Sequence, residues 1–222
     1  MWSTTKRPKP GWRIHPQGKP WVLGGLLGTT LFTARGRRKA ALAAAFLSTA
    51  LAYFFRDPDR YPPKASQVVV SPADGEVVVV EQTEEPRWIE GPAWHIGIFM
   101  SLYDVHINRA PLDAYVVRIE HHPGEFLPAY HQEALQRNER RMYFLETDDL
   151  RRALVIQIAG VLARRTVPLI PPGASLRRGE RFGLIRFGSR VEVFLPVEAQ
   201  PLVAPGQRVR AGETPIAWWP TA

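Results

Sequence analysis

The chain has 222 residues, enough for one domain with an appendage, and no cysteine, which excludes a disulfide framework, a thiolate nucleophile and a Cys-ligated metal. Its net charge of +8 sits at one end: residues 1–56 carry ten Lys/Arg and no Asp or Glu, and the other 166 carry nineteen basic and twenty-one acidic side chains. A basic excess that flanks apolar segments fits an anionic membrane surface, not a nucleic-acid groove, and the chain has no RNA- or DNA-binding motif.

Residues 1–20 are basic and rich in Pro and Gly, and read as poorly ordered. Trp21 to Phe32 and Ala40 to Phe55 are two apolar runs separated by Arg35, Arg37, Arg38 and Lys39. Each falls short of the roughly 20 residues a spanning helix needs. The reading is a membrane-associated helical hairpin over 21–56, or a marginal span for the second run, peripheral or monotopic on the cytoplasmic side, with Trp12, Trp21, Tyr53, Phe54 and Phe55 at the interface. The alternative is a buried hairpin of a soluble protein.

Arg56-Asp57-Pro58-Asp59-Arg60-Tyr61-Pro62-Pro63 reads as a turn-rich linker, and 57–222 as one folded domain. Val68–Val70, Glu76–Glu81, Trp94–Leu102 and Ala114–Ile119 read as strands, the first two joined by a tight turn at Asp74-Gly75. Arg140–Leu145 and Ala153–Ile158 form a predicted hairpin around Asp148-Asp149. A short repeat follows: Gly173-Ala-Ser-Leu176-Arg-Arg-Gly179-Glu180 against Gly206-Gln-Arg-Val209-Arg-Ala-Gly212-Glu213. The fold class is mainly β with some helix (α+β), an antiparallel sandwich or barrel-like domain whose halves resemble lipoyl- and biotinyl-carrier domains. No Lys follows Lys64, so a carrier role is excluded.

Alternating apolar residues on both sides of Gly188-Ser189 predict strand there. A Gly-Ser pair in that place reads either as a β-bulge or as a site of chain rearrangement, because glycine leaves its carbonyl open to close approach. With Lys64 the only amine in the folded part, pyridoxal phosphate has no evident anchor, and an electron sink for amine chemistry must come from elsewhere. Ser189 attacking the Gly188 carbonyl can generate one, given a histidine and a carboxylate such as His106 and Asp74. His121-His122 lacks a third ligand at metal spacing, so no metal site is expected.

The chain resembles the short bacterial and archaeal form of the phosphatidylserine decarboxylase proenzymes. The resemblance rests on Phe54-Phe55-Arg56-Asp57-Pro58, Ser71-Pro72-Ala73-Asp74-Gly75, Asp104-Val105-His106-Ile107-Asn108-Arg109-Ala110-Pro111, Pro123-Gly124-Glu125-Phe126, Gln157-Ile158-Ala159-Gly160 and Arg186-Phe187-Gly188-Ser189. It implies self-cleavage into a β chain 1–188 and an α chain 189–222 that begins with a pyruvoyl group made from Ser189. It also implies Asp74, His106 and Ser189 as the processing triad. The product enzyme would use that pyruvoyl, with no pyridoxal phosphate and no metal, to decarboxylate phosphatidylserine to phosphatidylethanolamine. Arg109, Asp104, His122 and Arg165 are the expected substrate-binding candidates, and Asp104 and Arg190 depart from the pattern of longer members. The fragments are expected to stay together, as a dimer of such pairs, against a membrane lipid surface and without nucleic acid. The rival readings are a pyruvoyl decarboxylase of a soluble amino acid and a non-catalytic β-sandwich binding module on a membrane anchor.

Overall fold

The computed structural model describes residues 11–128, 133–161, 165–185 and 189–220. The chain divides into two compact units, Met1–Arg60 and Tyr61–Ala222.

In the first unit, helix α1 (Lys19–Ala34) and helix α2 (Arg38–Phe54) are the two apolar runs. Gly36, at φ +70°, ends the first with the left-handed residue that L side chains avoid. The helices touch through small residues: a Cβ on Gly25 would lie 2.7 Å from that of Ser48, whose hydroxyl donates to the Val22 carbonyl at 2.9 Å. Trp21, Leu23, Leu26, Leu27, Phe46 and Leu47 remain exposed, whereas Phe54 and Phe55, expected at an interface, are buried and pack edge to face on each other. No described helix is long and apolar enough to cross a membrane. Residues 11–20 are more ordered than their composition suggests. Strand β1 (Trp12–Ile14) pairs with β2 (Arg56–Pro58), and Arg13 bonds Asp59 at 2.6 Å, so the turn-rich linker begins as a strand.

The second unit is antiparallel β. Its strands are β3 (Val68–Val70), β4 (Gly75–Glu85), β5 (Gly91–Met100), β6 (Ile107–Arg109) and β7 (Ala114–His122). After these come β8 (Arg140–Glu146), β9 (Arg152–Ala159), β10 (Thr166–Pro168), β11 (Ser175–Leu176) and β12 (Arg181–Ile185). The chain finishes with β13 (Ser189–Pro196), β14 (Gln200–Pro201), β15 (Arg208–Val209) and β16 (Pro215–Trp218). Among the described residues these make an eight-stranded sheet, β11-β7-β8-β9-β13-β5-β4-β15, and two three-stranded sheets, β10-β12-β6 and β14-β16-β3. The expected hairpin at Asp74-Gly75 does not form: β3 pairs with β16, and β4 with β5 and β15.

That strand order reads the same from either edge, because the unit is two equivalent halves. One half is β6 to β12. The other is β3 to β5 continued by β13 to β16. The short repeat closes both edges of the large sheet. Gly173 N–H donates to the Val116 carbonyl and Val116 N–H to that of Ala174; Gly206, Val77 and Gln207 repeat the pattern. Both neighbouring strands carry a bulge at the corresponding place, between Val116 and Arg118 and between Val77 and Val79. Asp113 Oδ1 accepts from Arg178 N–H at 2.8 Å, as Asp74 Oδ1 accepts from Ala211 N–H at 2.7 Å. In the first half β8 and β9 join through residues 147–151, whereas in the second the equivalent β5 and β13 are separated by the whole of the other half.

Strand β13 is buried on both faces. Val191, Val193 and Leu195 enter the main core with Ile96, Ile98 and Val155, and Phe194 joins a second cluster with Phe144, Leu154 and Ile158. On that second face the buried Glu192 carboxylate is shared by Arg190 and by His95 Nε2 at 2.6 Å, and the His95 ring stacks on Phe194 at 4.6 Å. Burial by itself pushes the His95 pKa down, but the bonds to Glu192 and Glu81 outweigh it and hold it above the ordinary value. A raised folded-state pKa gives stability that is complete below the unfolded value, about 6.5, and is lost as pH rises through the folded value. Urea midpoints of uncut Ser189→Ala protein are therefore expected to fall across that window, with the fall reduced when His95→Gln is added.

Candidate active site

Ser189 opens β13, where its register partners are Met100 of β5 and Ala159 of β9. It is fully buried, and its hydroxyl donates to Met100 Sδ at 3.3 Å, a weak acceptor. The flanking strands β12 and β13 lie in different sheets, so a bulge within one continuous strand is not what joins them. Gly188 lies outside the described residues.

Strand β5 stops at Met100 because Asp104 caps the turn that follows. Asp104 Oδ2 accepts from Ser101 N–H at 2.8 Å and from Ser101 Oγ at 2.7 Å, while Oδ1 pairs with Arg208. This turn delivers His106, which is buried. Its Nδ1 lies 2.9 Å from the Asp104 carbonyl oxygen, which can only accept, so Nδ1 carries a proton and Nε2 is the basic nitrogen of the neutral ring. Ile185 N–H donates to the His106 carbonyl at 3.2 Å and ties the end of β12 to the same place.

Asp74 reaches the site from β4. Gly75 packs so closely on β5 that a Cβ there would lie 2.1 Å from the Phe99 carbonyl oxygen, one residue before Met100. Asp74 is buried, with Oδ1 bound to Ala211 N–H as described above. Asp113 makes the same bond in the other half, so that bond belongs to the fold, and a carboxylate has a second oxygen for other work. Asp74, His106 and Ser189 are thus carried to one end of β5 by three segments.

The remaining candidates separate. Asp104 is at the site, but its carboxylate organises a turn and holds Arg208. Arg109 is buried, with Nη1 on the Gly179 carbonyl at 2.8 Å. Arg165 is exposed, beside Thr166, whose partner is Ile185. His122 pairs with Arg140, Arg140 with Ile158 and Ile158 with Arg190. That row puts His122 three strands, about 14 Å, from β13 and on the face opposite Ser189. Its Nε2 contacts Glu120 at 3.2 Å. Sequence reasoning missed Arg208, which rims a cleft with Asp74, Asp104, Val209, Arg210 and Thr214. Its position inside the short repeat was visible; its pairing with Asp104 was not. No group of three or more potential metal ligands occurs among the described residues.

Ser189, His106 and Asp74 are all buried, and their backbones adjoin or follow the last residues of β5. The profile of the phosphatidylserine decarboxylase family matches residues 47–217. The chain is 44% identical over 207 residues to the phosphatidylserine decarboxylase proenzyme of Symbiobacterium thermophilum, covering 93% of this chain and 96% of that one. It is 39% identical over 205 residues to the proenzyme of Syntrophus aciditrophicus (91% and 96%) and 44% identical over 207 residues to that of Thermobifida fusca (91% and 91%). The chain belongs to the phosphatidylserine decarboxylase family.

Gly75→Ala is expected to destabilise the uncut chain by about 1–3 kcal/mol, because a methyl group must displace β5 backbone and not a flexible side chain. The shift in urea midpoint measures it. The same change moves Asp74 and is expected to slow any reaction at Ser189.

Proposed function

We propose that the chain cuts itself between Gly188 and Ser189 and then decarboxylates phosphatidylserine to phosphatidylethanolamine. The observation that carries the reading is the position of Ser189. It starts a strand held on both sides, while the chain before it ends a strand of another sheet, so the link between them can break without interrupting a ladder.

In this mechanism His106 Nε2 takes the Ser189 hydroxyl proton as the oxygen attacks the preceding carbonyl. The Asp104 carbonyl fixes the ring through Nδ1, and the second Asp74 oxygen stabilises the imidazolium electrostatically. Position 189 suits a self-made group, because β5 and β9 continue to hold its backbone after the cut. The pyruvoyl left there supplies the electron sink for loss of carbon dioxide. His106 then returns a proton to the substrate carbon. Arg208, 60% exposed at the side chain, presents its guanidinium at the cleft mouth for the phosphate of the lipid.

The α1–α2 pair, with exposed apolar residues and flanking Arg35, Arg37, Arg38 and Lys39, serves as a peripheral or monotopic contact with the cytoplasmic face of the membrane. The two halves of the β unit are read as lipoyl- and biotinyl-like. Fragments 1–188 and 189–222 stay joined through β13 and β16, and pairs of them form dimers. Decarboxylation of a soluble amino acid is disfavoured by the exposed apolar face of the helices.

Intact-mass spectrometry of purified protein is expected to find two fragments, the smaller lacking a free N-terminal amine, and a single uncut inactive chain for Ser189→Ala. A wild-type chain that turns over lipid while whole excludes the mechanism. Arg208→Gln, assayed on short-chain phosphatidylserine, is expected to raise KM about tenfold and leave kcat within about threefold, the pattern of lost uniform binding.

A further inference from the structure

The two halves form an internal control for which buried polar groups the fold itself needs. Tyr143 pairs with Ile119 and Val155, as Ile96 pairs with Val80 and Val193. Gln157 pairs with Arg141, as Leu195 pairs with Trp94. Asn108 pairs with Gly183, as Val69 pairs with Ala217. The counterparts of Tyr143, Gln157 and Asn108 are therefore Ile96, Leu195 and Val69, all in the main apolar core. Three buried polar side chains stand where the same architecture works with three aliphatic ones. Burying them costs free energy that the fold does not require.

Their hydrogen bonds run in one direction. The Tyr143 hydroxyl donates to Gln157 Oε1 at 2.9 Å, and burial keeps that phenol protonated by pushing its pKa up. Gln157 Nε2 then faces Asn108 Oδ1 and donates to it at 2.6 Å. Asn108 is left with its amide N–H groups turned away from the relay. Their contacts are long: the Pro72 carbonyl at 3.4 Å and Met100 Sδ at 3.8 Å, the sulfur that also receives the Ser189 hydroxyl. A fully buried donor held so loosely is rare in a finished core. Gly183 makes room for the relay, since a Cβ there would lie 2.4 Å from Gln157 Nε2, and the corresponding residue in the other half is Ala217.

We infer that Asn108, oriented by Tyr143 and Gln157, is a positioning residue for self-processing, holding Met100 and, through the sulfur that both contact, the Ser189 hydroxyl. The inference rests on the self-cleavage reading above. Ser189 Oγ bonds to the preceding carbonyl carbon, its proton passes by way of His106 to the departing Ser189 nitrogen, and an ester with a free amine results. Removal of the Cα proton then breaks the Cβ–Oγ bond. The electron pair leaves with oxygen as the carboxylate of the upstream fragment. The dehydroalanine at 189 tautomerises to an imine, takes up water and releases ammonia, leaving pyruvoyl. Negative charge falls on the attacked carbonyl oxygen in the first step and on Ser189 Oγ as it leaves in the elimination, and a neutral amide donor favours the departure without protonating it.

The test copies one half into the other. Full-length wild type, the double variant Asn108→Val with Gln157→Leu, and the volume-conserving Gln157→Glu are purified and followed by intact mass, with and without neutral hydroxylamine to cleave ester. The double variant is expected to fold with a urea midpoint lowered only by the lost acceptor of the Tyr143 hydroxyl, yet cut about a hundredfold more slowly. Gln157→Glu accepts from both Tyr143 and Asn108, turns the amide over, and is expected to slow cutting similarly while accumulating hydroxylamine-sensitive chain. Cutting of folded variants at the wild-type rate overturns the role of Asn108 and leaves self-cleavage standing. A double variant that fails to fold overturns the equivalence of the halves. A wild type that never cuts overturns the self-cleavage reading itself.

Discussion

Met100 and Ser189 are opposite one another in an antiparallel ladder although 89 residues separate them. The site depends on that pairing. Between them the chain builds a complete second half and returns, where the other half needs only residues 147–151. The chain leaves for the other half through 101–106, just after β5 ends, and takes up the interrupted half again at Ser189, opposite Met100. His106 lies on the way out, and Ser189 begins the return. Both residues adjoin the points where that half is interrupted, one just after β5 and the other at the start of β13.

The same geometry explains why a backbone cut there is tolerable. Residues downstream of 188 contribute β13, paired with β5 and β9 over most of its length, and β16, paired with β3. Those ladders and the burial of Val191, Val193 and Leu195 do not pass through the 188–189 peptide. The connection carries entropy of closure, which grows only slowly with loop length, and little of the enthalpy of the core.

Comparison of the halves also sorts buried polar groups by purpose. Asp74 and Asp113 clamp equivalent turns, so part of the role of Asp74 is architectural. The Tyr143–Gln157–Asn108 relay has no polar counterpart. The His95–Glu192–Arg190 group lies on the other face of β13, where a buried carboxylate is paired with Arg190 and hydrogen-bonded by His95. One strand thus separates a charged cluster from a neutral, weakly bonded serine, because alternate residues of a strand point to opposite faces.

Local chemistry made several features legible in the chain itself. The hairpin of β8 and β9, the repeat that became the two sheet edges, the two helical runs and the unusual Gly188-Ser189 pair all follow from period, turn residues and composition within short windows. The sequence by itself also determined the family, since its motifs recur in order along most of the chain. Pairing partners were decided only in three dimensions. Asp74-Gly75 looked like a hairpin turn, yet β4 found β5 and β15, because the buried faces of those strands match and the turn chemistry alone does not choose. His122 had suitable chemistry but lies three strands away on the opposite face, and only the fold shows that Arg109 is buried with Nη1 on the Gly179 carbonyl. Arg208 and Asn108 gained meaning from Asp104 and Gln157, residues remote in sequence. Side-chain type is written in one dimension, but which strand lies opposite which depends on burying apolar faces across the whole unit at once.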